Sequence, residues 1–160
     1  MNKQSLGLEL NLPSDREIRM TRHFPAPPDL VFDAHVDCDH LKRWWGPQRY
    51  DLTVCELDLR VGGKWRFVQR GEDGQEFGFR GEFRSIERPK LLAYTFEFED
   101  MPGHICLETL TFDEADGGTL LTDLTLFDSK EDRDGMLQSG MEEGAAESLD
   151  RLAELLASGR

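Results

Sequence analysis

No stretch of about 18 consecutive apolar residues occurs in this chain, the length a membrane-spanning helix requires. The opening residues Met1 to Pro13 also lack the apolar core of a secretory signal, so the expected location is cytoplasmic. Positive charge is scarce: 19 Lys and Arg stand against 32 Asp and Glu, a formal charge of -13. Such a surface repels phosphate backbones and anionic bilayers, which argues against nucleic acid and membranes as partners. Cysteine is scarcer still. Cys38, Cys55 and Cys106 are odd in number and far apart, and are expected to be reduced thiols and not a disulfide framework. There is no paired-cysteine motif, and His23, His35, His40 and His104 lack the spacing of a zinc site, so each is read as a surface or packing residue. Neither a metal nor another cofactor is expected. Internal repeats are lacking too, and 160 residues with 38% apolar content suit one domain with a real core.

What the chain does have is a strong amphipathic stretch at its end, Ser129 to Gly159. At about 100° per residue, Leu137, Met141, Ala145, Ser148, Leu149, Leu152, Leu155 and Leu156 share one stripe, with Glu142, Glu143, Glu147, Asp150 and Glu154 opposite. Ser129 can cap the start, with Asp132 reaching back, and Gly159 can supply a left-handed stop. Glu147 and Arg151 are spaced for an i,i+4 ion pair. From Gly140 to Ser158 the helix would be roughly 28 Å long, enough to lie across several strands. Gly135, Gly140 and Gly144 each cost a helix interior about 1 kcal/mol relative to Ala. They either permit close approach or mark a break near Gly135 to Gly140, or else small residues at Gly144, Ala145 and Ser148 leave a void that a ligand fills.

Upstream, Leu6, Leu8, Leu10 and Leu12 alternate with polar residues, as an extra edge strand or a loose tail. Glu17 to Phe24 reads as a strand ended by Pro25-Ala26-Pro27-Pro28. Pro28 opens a short helix in which Leu30, Val31, Ala34 and His35 share a face, and Asp39 to Trp45 forms a second, stopped by Gly46-Pro47. Period-two strands follow at Leu52 to Leu59, Lys64 to Gln69, Phe77 to Ile86, Leu91 to Phe98, Ile105 to Phe112 and Thr119 to Phe127. The separators are short turns with no room for crossover helices, so the sheet must be an antiparallel meander and the fold α+β.

Alternation places Trp65, Phe67, Phe79, Phe83, Tyr94 and Phe96 on one apolar face, and Arg66, Arg80, Glu82 and Arg84 on the solvated one. The aromatics serve either as plain core or as a ligand box. Two acidic residues break the apolar pattern. If Leu110 and Phe112 point inward so does Glu108, and if Leu121, Thr125 and Phe127 point inward so does Asp123. Carboxyls in an apolar cavity resist ionisation and suit a polar anchor or a proton shuttle. Otherwise they lie at a wet strand end, or a bulge turns them outward.

Leu41-Lys42-Arg43-Trp44-Trp45-Gly46-Pro47, Asp58-Leu59-Arg60-Val61-Gly62-Gly63-Lys64-Trp65 and the closing Ser139-Gly140-Met141-Glu142-Glu143-Gly144 with Ser148-Leu149-Asp150-Arg151-Leu152 resemble the bacterial branch of the START-like (SRPBCC) superfamily. More narrowly, they are similar to the C-terminal domain of the activator of Hsp90 ATPase, often labelled polyketide cyclase-like. The resemblance covers about Arg16 to Ser158, so residues 16–158 are expected to form one START-like domain behind an N-terminal extension, 1–15. It implies a helix-grip fold, a curved antiparallel sheet around the long C-terminal helix with two short helices after the first strand. It also implies a cavity between sheet and helix that takes apolar molecules. No shared catalytic set is implied, because members include binders, cyclases and a co-chaperone domain. Trp44-Trp45 and Gly62-Gly63 are read as structural. Family members commonly carry a bulky aromatic where this chain has Ala145 and an apolar residue at Glu108 or Asp123, which implies a larger and more acidic cavity here, better suited to an amine or several hydroxyls than to a fatty acid.

The expected function is therefore binding of a small, largely apolar or amphipathic molecule by a monomer or homodimer. The expected ligand-binding residues are Trp65, Phe67, Phe79, Phe83, Tyr94, Phe96, Glu108, Leu110, Leu121, Asp123, Met141 and Ala145. One alternative is a cyclase- or hydrolase-like enzyme in which Glu108 or Asp123 moves a proton. Another is an Hsp90 co-chaperone, weakened because the eukaryotic activator also uses a separate N-terminal domain that residues 1–15 are too short to supply.

Overall fold

The computed structural model describes residues 7–158. Eight strands form one antiparallel sheet: β1 (Glu9–Asn11), β2 (Glu17–Phe24), β3 (Tyr50–Leu57), β4 (Lys64–Gly71), β5 (Glu76–Glu87), β6 (Leu91–Phe98), β7 (Ile105–Ala115) and β8 (Gly118–Leu126). Their spatial order is β1-β2-β8-β7-β6-β5-β4-β3. Strands β3 to β8 are thus the meander that the short turns require, and β2 returns to lie beside β8. The two readings of the N-terminal leucines resolve in favour of an edge strand, with Leu10 opposite Met20; Leu6 lies outside the described residues.

The helices α1 (Pro28–Val36) and α2 (Cys38–Trp44) join β2 to β3, and α3 (Lys130–Gln138) and α4 (Met141–Ala157) follow β8. Proline starts α1 because its missing N–H is not needed in a first turn. Asp37 caps α2 by accepting from the Asp39 N–H at 2.9 Å. Ser129 caps α3 as expected, accepting from the Asp132 N–H at 3.0 Å, but Asp132 turns to His104 and does not reach back. The C-terminal segment breaks at Gly140, whose φ of +87° is the left-handed conformation that suits glycine. Gly159, the expected stop, lies outside the described residues. Among the described residues no helix is long and apolar enough to cross a membrane.

The core sits between the concave face of the sheet and α1, α2 and the C-terminal half of α4. Phe24, Phe32, Leu41, Leu92, Phe112 and Leu152 are fully enclosed there. The outer face carries ion pairs, with Arg66 on Glu99 at 2.7 Å and Arg80 on Glu97 at 3.1 Å.

Two expectations fail. Cys38 and Cys55 are not reduced thiols: α2 packs on β3, bringing their Cα atoms to 5.9 Å, and a disulfide joins them, leaving Cys106 as the free cysteine. Sequence distance was a poor guide because the chain between them folds back on itself. Glu147 and Arg151 do not pair either. Arg151 donates to the carbonyls of Gly46 at 2.7 Å and Arg43 at 2.8 Å, while Glu147 accepts from the Gln48 N–H at 2.9 Å. Both side chains fasten α4 to the end of α2 and the turn after it, where unsatisfied backbone groups need partners.

Candidate functional site

The aromatic wall comes from β4, β5 and β6. Gly81 of β5 makes it possible: a Cβ there would stand 1.9 Å from the Thr95 carbonyl oxygen and 2.5 Å from Trp65 Nε1. With no side chain in the way, the Trp65 indole of β4 crosses β5 and donates to Thr95 of β6 at 3.2 Å. Trp65 then meets Phe67 at 4.9 Å and Tyr94 at 5.7 Å between ring centroids, and Phe79 meets Phe96 at 5.6 Å. These tilted and edge-on contacts suit the ring quadrupoles.

Under that wall lies an inner cavity of two lobes, of about 120 Å³ and about 290 Å³. Trp65, Phe67 and Phe83 line the smaller lobe; Phe79, Leu121, Asp123, Met141 and Ala145 line the larger; Tyr94, Phe96, Glu108 and Leu110 line both. All twelve residues singled out in the sequence therefore face the same space. Gly144, Ala145 and Ser148 border the larger lobe, and a Cβ added at Gly144 would meet only Pro47 Cγ, at 3.9 Å. The small residues thus leave space; they do not serve close packing.

The sheet register sets the polar groups. Tyr94 is opposite Glu108, Leu110 is opposite Asp123, and Glu108 is opposite Thr125. Tyr94 donates to Glu108 Oε1 at 2.9 Å and Thr125 donates to Asp123 Oδ1 at 3.2 Å. Glu108 and Asp123 are close enough for each to bear on the other's ionisation. Burial raises both carboxyls, and Asp123 is raised well above the usual range by desolvation and by the neighbouring Glu108 charge. For Glu108, the hydrogen bond it accepts from Tyr94, together with its neighbour Asp123, offsets part of the effect of burial. Both keep intermediate exposure because they front a cavity, yet protein surrounds them. Desolvation, and then Glu108, raise the Tyr94 phenol well above its ordinary value, keeping it a donor.

Several lining residues escaped the sequence reading, Trp45, His35 and Arg22 among them. Trp44 does pack, 3% exposed with its indole donating to Ala34 at 2.9 Å, but Trp45 turns the other way into the cavity, 4.9 Å from Phe67 and 5.4 Å from Phe79. Adjacent residues at a helix end cannot share a face, which was the available signal. His35 lines both lobes; its Nδ1 lies 2.8 Å from the Val31 carbonyl, and desolvation lowers its pKa to about 4, so the ring is neutral with Nε2 as acceptor. Arg22 projects from β2 to Asp150 of α4 at 2.5 Å, its side chain 10% exposed, and its buried Nε lacks a partner among the described residues. The i+2 spacing from Met20 and to Phe24 places Arg22 on the inner face. Among the described residues no cluster of three or more His, Cys, Asp or Glu is arranged to hold a metal.

A curved antiparallel sheet gripping a long C-terminal helix, with a lined cavity between them, defines a helix-grip protein of the START-like class. Matching solved structures include a Rhodobacter sphaeroides protein, 26% identical, covering 94% of this chain and 99% of that one with a TM-score of 0.89. A Mycobacterium smegmatis protein is 27% identical over 95% and 98% of the two chains, TM-score 0.85. A Silicibacter pomeroyi AHSA1 protein is 25% identical over 90% and 99%, TM-score 0.72. The chain belongs to the family described as Activator of Hsp90 ATPase homolog 1-like protein, whose model matches residues 25–157. No curated protein matches it. Family and fold together point to ligand binding or co-chaperone-like activity.

Proposed function

We propose that this protein binds a small, largely apolar molecule bearing hydroxyl groups, in the inner cavity between sheet and α4. The observation that carries this reading is the neighbouring hydrogen-bonded pairs Tyr94–Glu108 and Thr125–Asp123 set among Trp65, Phe79 and Phe96. Apolar walls with a few converging polar groups are the usual makeup of a small-molecule site. A hydroxyl both donates and accepts, so it suits a buried carboxyl in either protonation state, and a further hydroxyl could serve the unpartnered Arg22 Nε that borders the same space. A carboxylate ligand would add a second negative charge beside Glu108 in a poorly solvated space. The aromatics would then contact the ligand body, and Met141 and Ala145 would form the floor.

The test is native mass spectrometry of the purified protein for a co-purified molecule, followed by calorimetric titration with a hydrophobic alcohol and the carboxylic acid of the same skeleton. Saturable binding of the alcohol, with the acid at least tenfold weaker at neutral pH, supports the reading. Binding of neither, or preference for the acid, opposes it.

A second reading rests on the neighbouring buried carboxyls themselves. A carboxyl pair whose pKa values burial raises, facing a mainly apolar cavity, is equipped for general acid–base transfer by Glu108 or Asp123. Turnover separates the two, because a binder returns its ligand unchanged. A bacterial Hsp90 ATPase assay addresses the co-chaperone reading that the family description suggests.

A further inference from the structure

A separate outer chamber of about 500 Å³ lies beyond the inner cavity, under α3. Phe98 and Cys106 line it, and Phe79, Phe96, Phe127, Met136 and Met141 border both this chamber and the larger inner lobe, so the two are neighbours across a wall of five flexible or aromatic side chains. Its lip carries apolar surface that a water-filled recess does not need: Met101 is 52% and Ile105 is 42% exposed. Gly135 of α3 stands at the same lip, and a Cβ there would meet nothing within 4 Å. The roof is fastened at its edges, by His104 Nδ1 to Asp132 Oδ1 at 3.0 Å and by Arg133 Nη1 donating to the Ser14 carbonyl at 2.6 Å, while Gly140 separates α3 from α4.

We infer that the outer chamber holds the apolar tail of the ligand, so that the ligand is an elongated amphiphile with a hydroxyl head at Glu108 and Asp123 and not a compact molecule confined to the inner cavity. The inference rests on the proposed function, since the head position is taken from it. Shared walls give the direction of the tail: a molecule anchored at Glu108 and passing Phe96 and Met141 enters the space under α3. Methionine at both Met136 and Met141 suits that passage, because an unbranched thioether adapts to irregular apolar shapes. A largely apolar outer chamber contributes affinity in proportion to the methylenes it removes from water.

Equilibrium titration with hexan-1-ol, octan-1-ol and dodecan-1-ol tests this in the wild type, in Gly135→Phe, which fills the lip, and in Met101→Glu, which charges it. Both substitutions fall on exposed positions with room for them. Wild-type affinity should rise about fourfold per methylene up to dodecan-1-ol. Each variant should weaken dodecan-1-ol at least tenfold and leave hexan-1-ol unchanged. Hexan-1-ol binding with no gain from added length, or gains that survive in both variants, would overturn the outer chamber while leaving the inner site standing. Equal loss of all three alcohols in a folded variant would overturn it as well. Failure of every alcohol to bind the wild type would remove the inner site and this inference together.

Discussion

Tyr94 and Glu108 occupy directly opposed positions on β6 and β7, and the phenol donates to the Glu108 carboxylate at 2.9 Å. That bond makes the Glu108 carboxyl an acceptor inside the cavity, next to Asp123. A cavity walled mainly by apolar side chains thereby gains an acidic spot, with His35 and Arg22 in the same lining.

Stability should respond to the protonation of these two carboxyls. Folded-state values for Glu108 and Asp123 lie above the unfolded ones of about 4.3 and 3.9, so their contribution is fully present below those values and is lost as pH climbs through the folded ones. Asp123→Asn keeps the shape and removes the titration. It should melt higher than wild type at neutral pH, with the difference vanishing near pH ~4. Equal melting temperatures across that range would place ordinary carboxyls there.

His35 works in the opposite sense. Its folded value of about 4 lies below the unfolded one of about 6.5, so the neutral ring contributes stability above pH ~6.5 that is lost as pH falls toward 4. NMR titration of the imidazole should show no protonation at pH 5.5 in the folded protein. A midpoint near 6.5 would mean the ring is open to water.

Reduction of Cys38–Cys55 should lower stability, because the bond closes a loop with a sequence separation of 17. Chain entropy assigns such a loop about 3 kcal/mol, or roughly 6–12 °C in a domain of this size. Melting with and without a thiol reductant, beside Cys38→Ser as control, measures it. An unchanged midpoint on reduction would contradict the disulfide.

The stripe on α4 is not uniformly buried. Leu152 is fully enclosed and Leu155 nearly so, whereas Met141 and Ala145 face the cavity. Leu152→Ala should cost about 2–5 kcal/mol in urea unfolding. Met141→Ala, which enlarges an existing space, should cost under about half of that. Similar losses at both positions would show that the N-terminal half of α4 is packed and not open.

The fold was legible because two periods carried it: period two from Leu52 to Phe127 and the helical stripe after Ser129. Glu108 and Asp123 were legible for the same reason, since alternation alone assigns them a face. Tertiary proximity was not. Cys38 and Cys55 meet only because α2 packs on β3, and Arg151 leaves Glu147 because the carbonyls of Arg43 and Gly46 arrive beside it from another part of the chain. Trp45 and His35 read as packing, since nothing local distinguishes an aromatic against a core from one against an empty space. The outer chamber was invisible for a related reason: a cavity is a property of what surrounds it.

If the space beside Ala145 binds a largely apolar molecule, filling it must weaken binding, and Ala145→Trp places an indole there. Titration with a hydrophobic fluorescent dye should give a saturable isotherm for the wild type and at least a tenfold loss of affinity for Ala145→Trp, with circular dichroism confirming that the variant is folded. An unchanged isotherm in the folded variant would contradict the account.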